Sequence, residues 1–253
     1  MSQLELAAEA EVSSRHLSFV ETGRSHPSRE MLLHLAEQLE IPMRERNVLL
    51  VAAGYAPVFP ERSLNDPELV AARKAIDLVL EAQKPYPAFA LDRHWNIAAS
   101  NRALPEMYVG VAPHLLALPV NAMRLSLHPE GIAPRVANFA EWRDHLLFRL
   151  RRQVELTGDP ALAGLLAEVS GYPLPAGFST AHAAANEEYS VAVPLKIQTG
   201  AGLLSFFSTT TVFGTPVDVT LSELALELFF PADAQTADVV RKIEAARGVI
   251  LKD

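Results

Sequence analysis

Two groups of side chains in the middle of the sequence have the types and spacing to hold an organic acid. Arg135, Asn138, Trp142, His145 and Arg149 recur at intervals of 3, 4, 3 and 4, which on a helix places them along one face. Asn121, Arg124 and His128 share a second face at i, i+3 and i+7. A guanidinium fork grips a carboxylate through two parallel hydrogen bonds. A cavity for an amphipathic acid needs only a few such groups on an otherwise apolar lining. Arg124 and Arg135 are the candidates for the fork, with Asn138 or His128 assisting.

The apolar part of such a cavity has its own candidates in Phe89, Trp95, Trp142 and Phe206. Phe206 and Phe207 point to opposite faces of a strand, so only one of them lines a given cavity. Val136, Phe139, Leu146, Leu147, Leu150 and Val154 supply an apolar stripe beside the polar face. Plainer roles compete for the same residues. Trp142 also fits a half-buried core cap, and His128 before Pro129 fits a helix end. Arg143, Arg149, Arg151 and Arg152 read best as solvated surface. Catalysis finds little support. No H-E-x-x-H, G-x-S-x-G or glycine-rich phosphate loop occurs, and the side chains of adjacent Asp144 and His145 diverge on a helix.

A different chemistry lies at the start of the chain. Residues 2–28 read SQLELAAEAEVSSRHLSFVETGRSHPS. Ser2 and Glu5 have capping-box spacing and start a helix from Gln3 to about Ala10. Ser13 is the expected N-cap of a second short helix, with Leu17 and Val20 turned to the core. Gly23 can end that helix in the left-handed conformation. Two short helices joined by a tight turn are how a protein sets one helix in the DNA major groove. Its first residues, Ser14 and Arg15, then meet base edges, with Ser18 and Phe19 one turn on, and Arg15 can chelate a guanine. Gln3, Arg24, Ser28 and Arg29 are the candidates for backbone phosphates, and Ser13 completes the DNA-binding set.

Composition bounds these readings. The 253 residues suffice for two modest domains, and 49% are hydrophobic, which argues against extensive disorder. There is no cysteine, hence no disulfide and no thiolate zinc site. No signal segment and no apolar run of membrane-spanning length is visible, and a soluble cytoplasmic protein is the expectation. Net charge is −8. Residues 1–60 hold five Arg against eight Glu, a balance of −3 that opposes a basic footprint. Placement partly offsets it, because Arg15, Arg24 and Arg29 fall on or beside the recognition element.

The elements that must position these groups follow from periodicity and breakers. Leu32, Leu35, Ala36 and Leu39 predict a third helix after Pro27-Ser28. Pro42 opens a fourth, ended by Gly54 and Pro57. Pro57, Pro60 and Pro67 bound a linker, and a helix then runs from about Pro67 to Gln83. Two short strands, AFAL and WNIAA, are joined by the turn Asp92-Arg93-His94. Short helical pieces fill 113–128, and the longest helix is expected over 134–157, with Pro134 in its first turn. Gly158-Asp159-Pro160 precedes another helix, and 171–188 reads as loop. Residues 190–199 and 203–213 are expected to form a hairpin, with Pro194 at an edge position or a bulge. SELALELFF is ambiguous between helix and a last strand, and a final helix covers about 234–246.

The run from Ser2 to Ser28, with Glu21-Thr22-Gly23-Arg24 and Pro27-Ser28 at its exit, resembles the helix-turn-helix of Xre-type transcription regulators. Glu11 stands where that family usually has a turn glycine. The family's first helix has no counterpart ahead of Ser2, which suggests a displaced start or a truncation. LDRHWNIAASN (91–101) resembles the opening strands of a PAS-like fold. With NAMRLSLHPEG (121–131), FAEWRDHLLFRLRRQ (139–153) and the run 205–233, it is similar to the ligand-binding domain of MmyB-like regulators, also called MltR-like.

The resemblance implies an all-α helix-turn-helix domain over 1–56, its first helix absent, and a linker over 57–66. An α+β PAS-like domain with added helices would cover 67–253. It further implies a bacterial, non-enzymatic regulator of promoter DNA that works as a homodimer. No cofactor or metal is required, and the ligand is a small apolar, fatty-acid-like molecule such as myristate. The competing reading is a lipid-binding sensor or carrier that no longer binds DNA.

Overall fold

A computed structural model describes residues 2–175 and 193–250. Most of the loop expected over 171–188, and the first residues of the strand expected from 190, lie outside the described residues. The chain divides into two compact units. The first takes in residues up to Val70 together with Phe213–Glu223, and the second holds Ala71–Val212 and the chain from Leu224 on.

The first unit opens with four helices among the described residues: α1 (Gln3–Glu9), α2 (Ser14–Glu21), α3 (Arg29–Gln38) and α4 (Met43–Ala52). Three are started by a serine whose hydroxyl accepts an amide of the first turn, Ser2, Ser13 and Ser28, a cap worth about 1 kcal/mol each. Ser2 and Glu5 complete the capping box. Leu6, Ala7, Ala10, Leu17 and Leu35 pack together. Val20 is only half-buried. Gly23 adopts φ 69° two residues past the end of α2, directly after the C-cap Thr22. Glu11 takes φ 51° in the turn.

The proline-rich stretch after α4 is more than a spacer. Asn47 Oδ1 accepts from the amides of Val58 (3.0 Å) and Phe59 (3.1 Å), and its Nδ2 donates to the Phe59 carbonyl. The segment 213–223, ending in the short helix α9 (Val219–Ser222), joins the same unit. Val219 N donates to Pro60 O at 2.9 Å, Arg62 pairs with buried Asp218 at 3.2 Å, and Arg44 binds both Glu61 and Glu223.

The second unit contains a five-stranded antiparallel sheet in the order β2-β1-β5-β4-β3. Its strands are β1 (Ala88–Leu91), β2 (Ile97–Ser100), β3 (Leu195–Thr199), β4 (Gly202–Val212) and β5 (Ala225–Pro231). That order, with a helical insert between β2 and β3, is the PAS arrangement. From Ala225 on, the ambiguous SELALELFF is a strand, because it lies between β1 and β4 and pairs with both; its Ser222 is the last residue of α9. Pro194 immediately precedes edge strand β3, where no neighbour needs its missing N–H.

Helix α5 (Val70–Ala82) leads into β1. The insert carries α6 (Ala122–Leu127), α7 (Phe139–Thr157) and α8 (Pro160–Ser170), with short 3-10 turns at Leu104–Tyr108 and Ala133–Arg135. Helix α10 (Ala234–Ile250) follows β5. No helix among the described residues is long and apolar enough to cross a membrane.

One expected element is corrected. The longest helix begins at Phe139, and Pro134 sits in a separate 3-10 turn. Residues 136–138 are drawn into pairing with β3 instead. Val136 bridges Ile197, Ala137 N donates to Lys196 O at 2.7 Å, and Asn138 exchanges bonds with Pro194 and Lys196. Arg135 and Asn138 therefore do not share a helical face with Trp142, His145 and Arg149.

Candidate functional site

Two chambers of different size lie in the second unit. The smaller encloses about 50 Å³ and takes walls from Phe89, Trp95, Trp142 and Phe229. The larger holds about 610 Å³, with Phe206, Ile197, Leu204, Val240 and Arg135 among its walls. That volume falls within the usual span of small-molecule sites, roughly 300–1,000 Å³. Met107 lines both chambers and is buried.

Arg135 is the cation of the large chamber. Its guanidinium donates to the Met107 carbonyl and has no carboxylate partner among the described residues. Partial burial holds its pKa below the ordinary arginine value, because desolvation penalises the charged form. A ligand carboxylate would relieve that penalty and engage the open side of the fork.

The small chamber carries a buried ion pair. Glu227 on β5 is 3% exposed, accepts from Arg149, and takes a hydrogen bond from Thr210 at 2.9 Å. Arg149 also lies over the Trp95 ring at 4.9 Å, which corrects its assignment to solvated surface. A legible signal was Glu227 itself: it has the same strand parity as Phe229, and a charge on a core-facing row requires a partner.

Trp95 has φ 67°, a strained conformation for a bulky residue. Its indole donates to Gln153 at 2.7 Å, and Asp92 Oδ1 ties down the amides of His94 and Asn96 at 2.8 Å. These bonds hold the turn that presents the ring. Trp142 stacks on His145 at 5.7 Å between centroids. Burial and the Arg149 charge push the His145 pKa down.

Phe89, Trp95, Trp142, Arg135 and Phe206 thus line the chambers, whereas four other candidates do not. Asn121 caps α6 and donates to the His94 carbonyl at 2.9 Å. Arg124 forms a two-pronged pair with Glu168 at 2.8 and 2.7 Å. His128 ends α6 and packs on the Tyr172 ring at 4.8 Å. Asn138 anchors the β3 bridge. In each case a nearer partner satisfies the polar group. Sequence reasoning did not mark Met107, Glu227 or Phe229; Met107 lies in a short 3-10 turn, and Glu227 and Phe229 lie two residues apart on β5, in the run left ambiguous between helix and strand.

In the first unit, Ser14, Arg15, Arg24, Ser28 and Arg29 are exposed, and Ser18 and Phe19 are half-exposed. Arg15 lies over the Phe19 ring at 5.3 Å. Arg15, Arg24 and Arg29 have no carboxylate partner among the described residues, whereas Arg44 is committed to Glu61 and Glu223 and Arg46 to the Ile41 carbonyl at 2.6 Å. The cations beside α2 are thus the ones left open to solvent. Ser13 and Ser28 hydroxyls serve as caps, and Gln3 donates to Glu21.

A family profile described as MmyB-like transcription regulator ligand binding domain matches residues 72–243. The chain belongs to this family. A helix-turn-helix profile also matches residues 1–46 of this MmyB-like regulator, the region that carries the three open arginines. No curated protein matches the chain. Among solved structures it is similar to one titled "Structure of an RNA-binding Light-Oxygen-Voltage Receptor", at 12% identity and a TM-score of 0.28. The match covers 96% of this chain and 57% of that one, and so low a score supports no inference. The chain therefore joins a helix-turn-helix to an MmyB-like ligand-binding domain whose sheet has the PAS strand order.

Proposed function

We propose that the ligand-binding domain takes a fatty-acid-like carboxylic acid, myristate or a near homologue, and that occupancy changes the grip of a dimeric helix-turn-helix on promoter DNA. The observation that carries the ligand is Arg135, a guanidinium with no carboxylate partner among the described residues, on the wall of a large and mainly apolar chamber. Its carboxylate would meet Arg135, and its chain would run past Met107 toward the small chamber.

Transmission to DNA has a covalent route. β4 lines both chambers through Leu204, Phe206 and Ser208, β5 lines the small one through Glu227 and Phe229, and the segment between them, 213–223, belongs to the helix-turn-helix unit. A homodimer fits the two-fold half-sites that this motif reads. The reading is of a cytoplasmic, bacterial regulator without catalytic activity or required cofactor. Solvent extraction of the purified protein followed by mass spectrometry tests the ligand. Recovery of an acyl carboxylate, or myristate binding by the extracted protein, is expected; neither occurring refutes the assignment. Equal affinity for promoter fragments and random duplex would favour a carrier that has lost DNA recognition.

A further inference from the structure

The small chamber is not lined as a plain alkyl pocket. Trp142 is 5% exposed and its ring forms part of the wall, yet its Nε1–H is buried with no acceptor. Ser126 and Ser208 stand on the same wall, and their hydroxyls bond no other described residue. Glu227 adds a carboxylate, of which Oε1 is taken by Arg149 and Thr210. Buried polar groups normally find partners, and each one left unpaired in a complex lowers affinity.

A saturated acyl tail brought into this chamber leaves the indole N–H unpaired. A tail with an oxygen does not: a hydroxyl can accept from Trp142 Nε1 and donate to the carboxylate of Glu227. Stacking on His145 fixes the indole plane, so the donor direction is set before a ligand arrives.

We infer that the preferred ligand is a hydroxylated acyl carboxylate, with its carboxylate at Arg135 in the large chamber and its hydroxyl at Trp142 in the small one. The inference rests on the acyl-carboxylate reading above and sharpens it. The two chambers divide the work: Arg135 selects an acid, and Trp142 selects among acids of equal length.

The chain has only two tryptophans, Trp95 and Trp142, and both line the small chamber, so intrinsic fluorescence reports its occupancy. The full chain, freed of bound lipid, is titrated with myristate and with mid-chain and terminal hydroxymyristates. At least one hydroxymyristate is expected to bind about tenfold tighter than myristate. Trp142→Phe keeps an aromatic ring there and leaves Trp95 as the reporter but removes the donor, and it should bring the ratio of hydroxymyristate to myristate affinity down toward one. Ser126→Ala, a smaller change, guards against a Trp142→Phe protein that misfolds, and should reduce the preference in part. If myristate binds and no hydroxymyristate binds tighter, the hydroxyl inference falls and the fatty-acid reading stands. If no acid of either kind binds, both fall.

Discussion

Arg135 and Arg124 show how partners decide what an arginine does. Both stood as equal candidates for a carboxylate fork. Arg124 is already gripped by Glu168 through two bonds, whereas Arg135 bonds only a carbonyl on the wall of an apolar chamber. A charge-assisted hydrogen bond contributes about 1.5–3 kcal/mol. Arg135→Gln should therefore weaken myristate binding by about ten- to a hundredfold, and Arg124→Gln should leave it within about twofold. Quenching of tryptophan fluorescence measures both, and equal losses in the two variants would remove Arg135 from the anchor role.

Glu11 gives a residue-scale test in the other unit. It holds φ 51° on an exposed turn, where an L side chain is disfavoured by about 1–2 kcal/mol. Glycine removes that strain but adds freedom to the unfolded chain. Glu11→Gly is expected to stabilise the first unit by about 0.5–1 kcal/mol, seen as a higher melting temperature.

At the scale of elements, Arg124 matters as a clamp between α6 and α8. Its bonds hold the Glu168 carboxyl below the usual carboxylate range. The folded pKa is thus lower than the unfolded one. The clamp's contribution is complete above the unfolded value of about 4.3 and is lost as pH falls through the folded value. Both side chains are partly exposed, at 43% and 38%, so the contribution is under about 1 kcal/mol. Glu168→Gln should flatten that part of the acid limb in thermal melts and change little at neutral pH. An unchanged acid limb would show that the pair is too solvated to matter.

Much of the element order was legible because its signals are local. Ser13 caps the helix expected of it, Ser28 and Asp159 cap the helices expected after Pro27-Ser28 and after Gly158-Asp159-Pro160, and Gly158 ends α7 in the left-handed conformation. Failures came where distant strands compete with helix signals. Pro134 is a sound helix-start residue, but Val136 and Asn138 gain more from β3 than from another helical turn. Half of the candidate cavity was readable for the same reason. Phe89, Trp95, Trp142 and Phe206 announce themselves by size, whereas Asn121, Arg124, His128 and Asn138 have nearer partners that only the fold reveals. Arg149 erred in the opposite direction, since Glu227 lies 78 positions away in sequence.

For the whole molecule, the decisive feature is that residues 213–223 leave the sensor sheet at β4, enter the helix-turn-helix unit and return as β5. Arg44 on α4 fastens this segment by binding Glu223 at 2.7 Å and also grips Glu61. Any ligand that shifts β4 against β5 strains a segment tied to α4. Under the proposed function the coupling is a free energy, commonly about 1–3 kcal/mol, and it is reciprocal: whatever factor myristate applies to DNA affinity, DNA applies to myristate affinity. Arg44→Met with Glu223→Gln removes both charges of the fastening pair, so no new unpaired carboxylate is left at position 223. In that double variant, tryptophan quenching by myristate and binding to a duplex enriched by the wild-type protein from a random pool should both persist. The factor linking them should fall toward one, whichever ligand is added first. Circular dichroism melts check that the first unit still folds. A linkage factor equal to that of the wild type in a folded double variant would show that the signal bypasses the 213–223 segment.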